Sequence, residues 1–419
     1  MFKKSTAPSA GGYTLSKSLR FRSSASAYLN RTFSTPTSST IWTWSSWIKR
    51  GGLTGTYRLF GASTTTFLTF NSSDQLNLTI NNVSAATSTA VFRDPASWYH
   101  VVYQQNGSAQ TIYVNNVSVA TGTTAAAIFN TAIAHQIGAA NTTNYFDGYM
   151  ANVQFIDGQA LTPTSFGATD ATTGAWQPIA YTGSYGTNGF YLPFTDATST
   201  STLGNDSSGN SNTWTTNNIS VTAGVTYDSM TDVPTLTSAT AANYAVGNPL
   251  SVGANTALTN GNLAGTLTGA GGWSGTICGL TSGKWYYEAT ITATTINSMW
   301  IGFLSDAYTK NDNAWSFSTQ TALYANDARN GNNVLYGASY TTNDVIGVAI
   351  DLSTSSGSIT FYKNNVSQGV MFSSLTTSAI WRPLISGGGT GSTIAMNFGQ
   401  QGFTYTPPSG YVALNPYNL

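Results

Sequence analysis

The chain is 419 residues long, a length that suggests two or three domains. Charged residues make up only 7% of it and the formal net charge is zero, whereas soluble domains usually carry about 25% charged residues. Nucleic-acid binding draws on phosphate neutralisation by Lys and Arg, and no basic run here exceeds the Lys3-Lys4 pair, which argues against that class. No apolar run approaches the roughly 18 residues of a membrane-spanning helix, so no membrane insertion is expected. Cys278 is the sole cysteine, so the chain forms no internal disulfide.

Residues 1–12 read as an N-terminal arm. The opening MFKKSTAPSAGGY is basic but has no apolar core of a signal peptide. Synthesis in a cytoplasm is therefore expected. On that expectation, the N-x-S/T triplets at Asn77 and Asn82 are products of an Asn/Ser/Thr-rich composition.

From Tyr13 to about residue 200, short strands bounded by Gly, Asn, Ser and Asp follow one another. SLRF, Ser18 to Phe21, is the first. IWTWSSWIK, Ile41 to Lys49, alternates: Trp42, Trp44 and Ser46 face one way, Thr43, Ser45 and Trp47 the other. FLTF, LNLTI, WYHVVYQQ, TIYVNN and YFDGYMANVQFIDGQALT come next. Residues 201–257 are turn-rich, yet Trp214, Tyr227, Tyr244 and Leu250 are spaced through them. This reads as an ordered connector. From residue 258 to 419 strands resume with WYYEATIT, MWIGFL, DVIGVAIDL, SITFYKN and TIAMNFG. Val345 to Leu352 is apolar on both faces apart from Asp351, as in a strand covered on both sides. Helical periodicity is nearly absent. The class is all-β, with the strand pattern of a β-sandwich or barrel.

Two stretches echo each other. TIYVNNVSV, Thr111 to Val119, matches ITFYKNNVSQG, Ile359 to Gly369. Asn-Asn suits a two-residue hairpin turn, which needs positive φ at both positions. The flanks also correspond: a strand, a polar Gly-containing loop, then the hairpin strand. The shared element is three strands deep.

Carboxylate chemistry is poorly supplied. A retaining glycosidase needs two carboxyl groups about 5 to 5.5 Å apart. Glu288 is the only glutamate, in KWYYEAT, and reads as a structural partner at a strand edge. His100 and His135 are the only histidines and lie far from further Cys or Glu ligands, so no zinc site is expected. No enzymatic activity is expected. For binding, NTTNYFDG groups Asn141, Asn144, Tyr145 and Asp147, and SDAYTKNDNAWSFS groups Asp306, Tyr308, Asp312 and Trp315. Each offers an aromatic with amides or carboxylates in a loop, the composition of a shallow glycan or partner site.

Residues 13–200 resemble a LamG-like jelly roll of the concanavalin type, through SLRFRSSASAYLNRTF, WTWSSWIKRG, WYHVVYQQNGSAQTIYVNN and IGAANTTNYFDGYMANVQFIDGQALT. Residues 258–419 resemble an SPRY domain, through SGKWYYEATI, WIGFLSD, YGASYTTNDVIGVAIDL, ITFYKNNVSQG and the NFGQQGFTYTPPSGYVALNPYNL ending. The connector, with NDSSGNSNTW and NYAVGNPL, is similar to the segment joining these modules in virion proteins of tailed bacteriophages, especially marine ones.

The resemblance implies two concanavalin-like sandwiches and places the His of WYHVVY in a structural role. It also implies a calcium candidate at Asp147, weakened because Ala151 and Asn152 stand where the family's acidic pair follows the DG turn. No other cofactor is implied. The implied function is that of a virion adhesin, a displayed appendage or tail-fibre-type protein that binds a host-surface glycan or protein. Its partners would include other virion proteins. It would be a homo-oligomer, trimers being common in phage appendages. The alternative is a capsid decoration or tail accessory protein packed on other virion proteins. A polysaccharide depolymerase ranks behind both.

Overall fold

The computed structural model describes residues 12–123, 129–275, 279–294, 299–306, 321–330, 333–387 and 390–419. It is all-β, with 49% strand and 4% helix. It divides into two compact units, one closing at Asn243 and one comprising Tyr244–Leu419.

The first unit is built on two large antiparallel sheets. One runs, edge to edge, through Val117–Thr123, Ala109–Val114, Trp98–Asn106, Ile41–Arg50, Gly148–Asp157, Ser18–Phe21 and Ser229–Met230, with Phe190–Leu192 also pairing Gly148–Asp157. The other runs through Thr215–Asn217, Tyr28–Thr32, Ala134–Ile137, Tyr57–Gly61, Phe67–Phe70, Gln75–Ile80 and Val83–Val91. The two-residue alternation of Ile41–Arg50 decides what fills the space between them. Trp42, Trp44 and Ile48 join one buried cluster with Phe60, Phe129 and Phe155. Trp42 meets Tyr103 edge-on at 4.7 Å, the arrangement that ring quadrupoles favour. The opposite face of the strand carries Thr43, Ser45, Trp47 and Lys49, all buried by later chain.

Residues 201–257, expected as a connector, are shared out between the units. Thr215–Asn217 pairs with Tyr28–Thr32, and Ser229–Met230 pairs with Ser18–Phe21. Leu203 and Trp214 enter the first unit's core. Ion pairs then fix the stretch near 230. Arg20 and Arg22 both reach Asp228, at 3.0 and 2.8 Å, and Lys49 reaches Asp232 at 2.8 Å. Buried charges persist only when paired, so these few charged residues hold the segment against the sheet. Gly247–Val252 and Thr256–Thr259 belong to sheets of the second unit.

The second unit has a six-stranded sheet, Gly247–Val252, Gly271–Gly275, Trp381–Gly387, Met299–Ser305, Thr321–Ala325 and Arg329–Asn330. Its eight-stranded sheet runs Thr256–Thr259, Ala264–Thr268, Thr390–Asn397, Lys284–Ala293, Val345–Asp351, Gly357–Lys363 and Val366–Leu375, with Val412–Ala413 alongside Lys284–Ala293. Val345–Asp351 lies between two strands and is buried through Ile350, as its unbroken apolar run requires.

Candidate functional site

The outer face of the first unit's Trp-bearing sheet is filled by the chain itself. Trp47 stacks on His100 with ring centroids 4.9 Å apart. Trp176 Nε1 donates to His100 Nδ1 at 3.0 Å, leaving Nε2 to donate to Ser45 Oγ at 2.9 Å. Phe166, Tyr181 and Tyr185, from the excursion after Gly148–Asp157, pack on Val102 and Ile156. Burial pushes the His100 pKa down to about 3, so its imidazole is neutral across the physiological range and serves packing. His135 is likewise buried and depressed to about 4.

Glu288 sits on Lys284–Ala293, between Thr390–Asn397 and Val345–Asp351, and so is central in its sheet and not at the expected edge. Its carboxylate accepts Thr404 N at 2.7 Å and Tyr405 N at 2.8 Å. Burial raises its pKa against the pull of these bonds. The carboxylate thus secures the 404–405 backbone.

An open concavity lies at the second sheet of the first unit. A cleft of about 370 Å³ is lined by the Gly61–Thr64 turn, by Ile133, Ala134 and Gln136, and by Asn141. Three separate segments build it. Gln136 lies on the Ala134–Ile137 strand, and its Oε1 accepts Thr142 N at 3.1 Å, tying the 141–145 loop to the sheet. Arg58 donates to Ala140 O at 2.7 Å and to Thr143 Oγ1 at 2.6 Å from beneath the same loop. Arg58 N donates to Asn144 O at 2.9 Å. Asn141, Thr142 and Asn144 all have φ near +50°, a tight left-handed course that Asn tolerates well. The Gly61 position lets this loop approach, since a Cβ there would lie 2.4 Å from Ala140 Cβ. The walls are mainly apolar, through Ala62, Ile133 and Ala134, with the Ser63 and Thr64 hydroxyls and the Gln136 and Asn141 amides as their polar groups and no charged side chain among them.

Of the residues expected in this loop, Asn141 is exposed and lines the cleft. Asn144 is exposed on the same loop, and Tyr145 is half-buried against Tyr28, with rings 6.0 Å apart. Asp147 is buried and does not line the cleft. Its Oδ1 accepts Ser23 N at 3.3 Å, and its carbonyl accepts Gly51 N at 2.8 Å. Among the described residues, no group of three or more His, Cys, Asp or Glu side chains is placed to hold a metal ion. In the second unit, Asp306 is exposed, with its Oδ1 accepting Ile380 N at 2.8 Å while its own N–H donates to Ile380 O. Tyr308, Asp312 and Trp315 lie outside the described residues. Sequence reading passed over Ser63, Thr64, Ile133 and Gln136, which carry no shared local pattern. The run of hydroxyls in GASTTT was the one available signal.

Residues 284–401 match the SPRY domain family, and residues 22–167 match the concanavalin A-like lectin/glucanases superfamily. No curated protein matches the chain. Among similar solved structures, a human SPRY domain is 14% identical, covering 34% of this chain and 94% of its own, with a TM-score of 0.29. The SPRY domain of human HERC1 is 17% identical, covering 36% and 96%, with a TM-score of 0.31. A "putative carbohydrate binding protein" from Bacteroides ovatus is 17% identical over 49% of this chain and 59% of its own, with a TM-score of 0.37. The chain carries a concanavalin-type, LamG-like domain in its first unit and an SPRY domain in its second.

Proposed function

We propose that this is a non-enzymatic adhesin of a bacteriophage virion, a displayed or tail-fibre-type protein that binds a host-surface glycan through the cleft beside Asn141. The observation that carries the binding reading is the contrast between the two sheets of the first unit. One outer face is closed by Trp176, Phe166 and Tyr185, while the other bears an open, mainly apolar cleft edged by the Ser63 and Thr64 hydroxyls and the Gln136 and Asn141 amides. A neutral site suits a ligand met in seawater, where the Debye length is well under 10 Å and charge attraction is screened. Many copies on one particle, as in a homo-oligomer, would turn weak single sites into firm attachment. No cofactor is required in this reading. Asp147 is committed to the Ser23 backbone and is not offered as a calcium ligand.

A second reading, capsid decoration or a tail accessory role, is favoured by the second unit. Val334 and Leu335 are exposed beside Tyr336, whose hydroxyl donates to Gly369 O at 2.6 Å, next to exposed Val370. These four apolar residues offer a contact for another virion protein.

The test is a glycan array probed with the full chain and with the Asn141→Ala variant, together with gold-labelled antibody on intact virions. Saccharide binding lost on Asn141→Ala, with gold on tail ends or fibres, is the expected result. No saccharide bound, with gold spread over the capsid shell, would replace adhesion by decoration.

A further inference from the structure

Lys49 occupies an unusual place. On adjacent strands Trp98, Lys49 and Tyr149 stand in one row, each directly paired with the next. The lysine is fully buried on the outer face of the sheet, with Nζ 5.8 Å from the centroid of the Tyr149 ring. Two side chains from the end of the first unit close over it. Nζ lies 2.8 Å from Asp232 Oδ2 and 2.8 Å from Asn243 Oδ1. The backbone sets this pairing, because Asp232 and Ala242 bridge and Val233 N donates to Ala242 O at 3.0 Å. Asn243 Nδ2 is turned the other way and donates to Ala96 O at 2.7 Å. Trp98 Nε1 donates to the second oxygen of Asp232 at 3.2 Å.

A buried amine, a carboxylate that can take its proton and a carboxamide in contact with both the amine and the backbone are the parts needed to form an amide. We infer that Lys49 and Asn243 become joined by a covalent side-chain amide, with Asp232 as the proton carrier. The Lys49 ammonium passes a proton to Asp232. The freed amine adds to Cγ of Asn243, which lies one carbonyl bond, about 1.2 Å, beyond the contacted Oδ1. Asp232 protonates that oxygen as the tetrahedral centre forms. It then relays a proton from the attacking nitrogen to Nδ2. The Cγ–Nδ2 bond breaks, ammonia departs past Ala96, and the carbonyl re-forms. Overall, an ammonium and a carboxamide give a secondary amide and an ammonium ion, with Asp232 regenerated and no oxidant or further reactant.

Two features support the chemistry. Burial lowers the Lys49 pKa even though Asp232 pulls the other way, which favours the nucleophilic neutral amine. The site is also walled by Trp98 and Tyr149, which exclude competing water. The bond would tie a central strand of the first sheet to the last residue of its unit, enclosing most of that unit in one covalent loop. The inference stands apart from the glycan-binding reading.

The test is the mass of the full chain under denaturing conditions, followed by proteolysis and peptide sequencing. The expected result is a mass lower by one ammonia than the sequence requires, and a branched peptide joining Lys49 to Asn243. Lys49→Met, Asn243→Ala and Asp232→Asn should each show the mass of an unlinked chain. The wild-type measurement decides the matter even where a variant fails to fold. An unlinked wild-type mass overturns the proposal. So does ammonia loss with Lys49 and Asn243 in separate peptides, or water loss with Lys49 joined to Asp232.

Discussion

Asn115 clasps His100 twice: its Oδ1 accepts His100 N at 2.8 Å and its own N–H donates to His100 O at 2.9 Å. Asn364 does the same to Val345 in the second unit, at 2.9 Å for both bonds. Each Asn opens a two-residue turn with its neighbour, at φ 47° and 69° for Asn115-Asn116 and 47° and 70° for Asn364-Asn365. Each turn joins the outer two of three consecutive strands at a sheet edge. The sequence echo is therefore a shared three-strand element, with the first Asn of each pair stitching the turn to the third strand. Asn81-Asn82 makes a third positive-φ turn of this kind.

Replacing the first Asn by Ala should therefore cost more than a surface change. Asn115→Ala removes the acceptor of a main-chain N–H, worth about 1–3 kcal/mol, and also removes the short polar side chain through which Asn tolerates left-handed backbone better than Ala. Asn115→Gly keeps the turn and loses only the hydrogen bond, so it should fall between wild type and Ala. Asn364→Ala should behave alike. Urea unfolding followed by tryptophan fluorescence orders the variants.

The strands were legible because their alternation is local. Ser18–Phe21 begins and ends where the sequence places it, and Trp42 and Trp47 face opposite sides as the two-residue period demands. What escaped notice depends on distant partners. The 201–243 stretch has the Gly, Asn and Ser content of a linker, but Trp214 is buried and Asp228 and Asp232 answer charges some 200 residues earlier. The cleft joins residues 61–64, 133–136 and 141, so only Asn141 could be singled out by composition. Asp147 shares the loop's composition and so groups with the binding candidates, but sequence alone does not reveal which way a turn carboxylate points.

The cleft depends on the absence of a side chain at Gly61. A methyl group there meets Ala140, which has no flexible end to withdraw. Gly61→Ala should displace the 140–145 loop, weaken saccharide binding at least tenfold and lower stability by about 1–3 kcal/mol. Gln136→Ala should weaken binding by loosening Thr142 while altering stability by less than about 1 kcal/mol. Array binding and thermal unfolding, measured on the same preparations, check both expectations.

Acid should unfold the first unit through its histidines. His100 and His135 have folded-state pKa values of about 3 and about 4, below the ordinary 6.5. Between those values and 6.5 the unfolded chain binds more protons, so stability falls as pH falls. Each histidine contributes a slope of up to about 1.4 kcal/mol per pH unit in that window. Urea midpoints at pH 7.0, 5.5 and 4.5 should drop progressively. The ring proton resonances of the two histidines should stay at their neutral positions down to pH 5. A normal titration near 6.5 for either ring would contradict its buried position.

Glu288 separates a structural carboxylate from a catalytic one. Both its oxygens are engaged by backbone: Oε2 takes Thr404 N and Oε1 takes Tyr405 N, while Asn397 Nδ2 approaches Oε2 at 3.4 Å. Glu288→Gln presents a donor where one backbone N–H needs an acceptor. That change leaves a buried donor unmatched and should cost about 1.5–3 kcal/mol. The transition that reports on the second unit should move to lower temperature, while saccharide binding by the first unit stays intact. Reducing-sugar release from host polysaccharide should be absent in wild type and variant alike. Release by the wild type that vanished in Glu288→Gln, with the folded transition unchanged, would make this residue a catalytic acid and overturn the structural assignment.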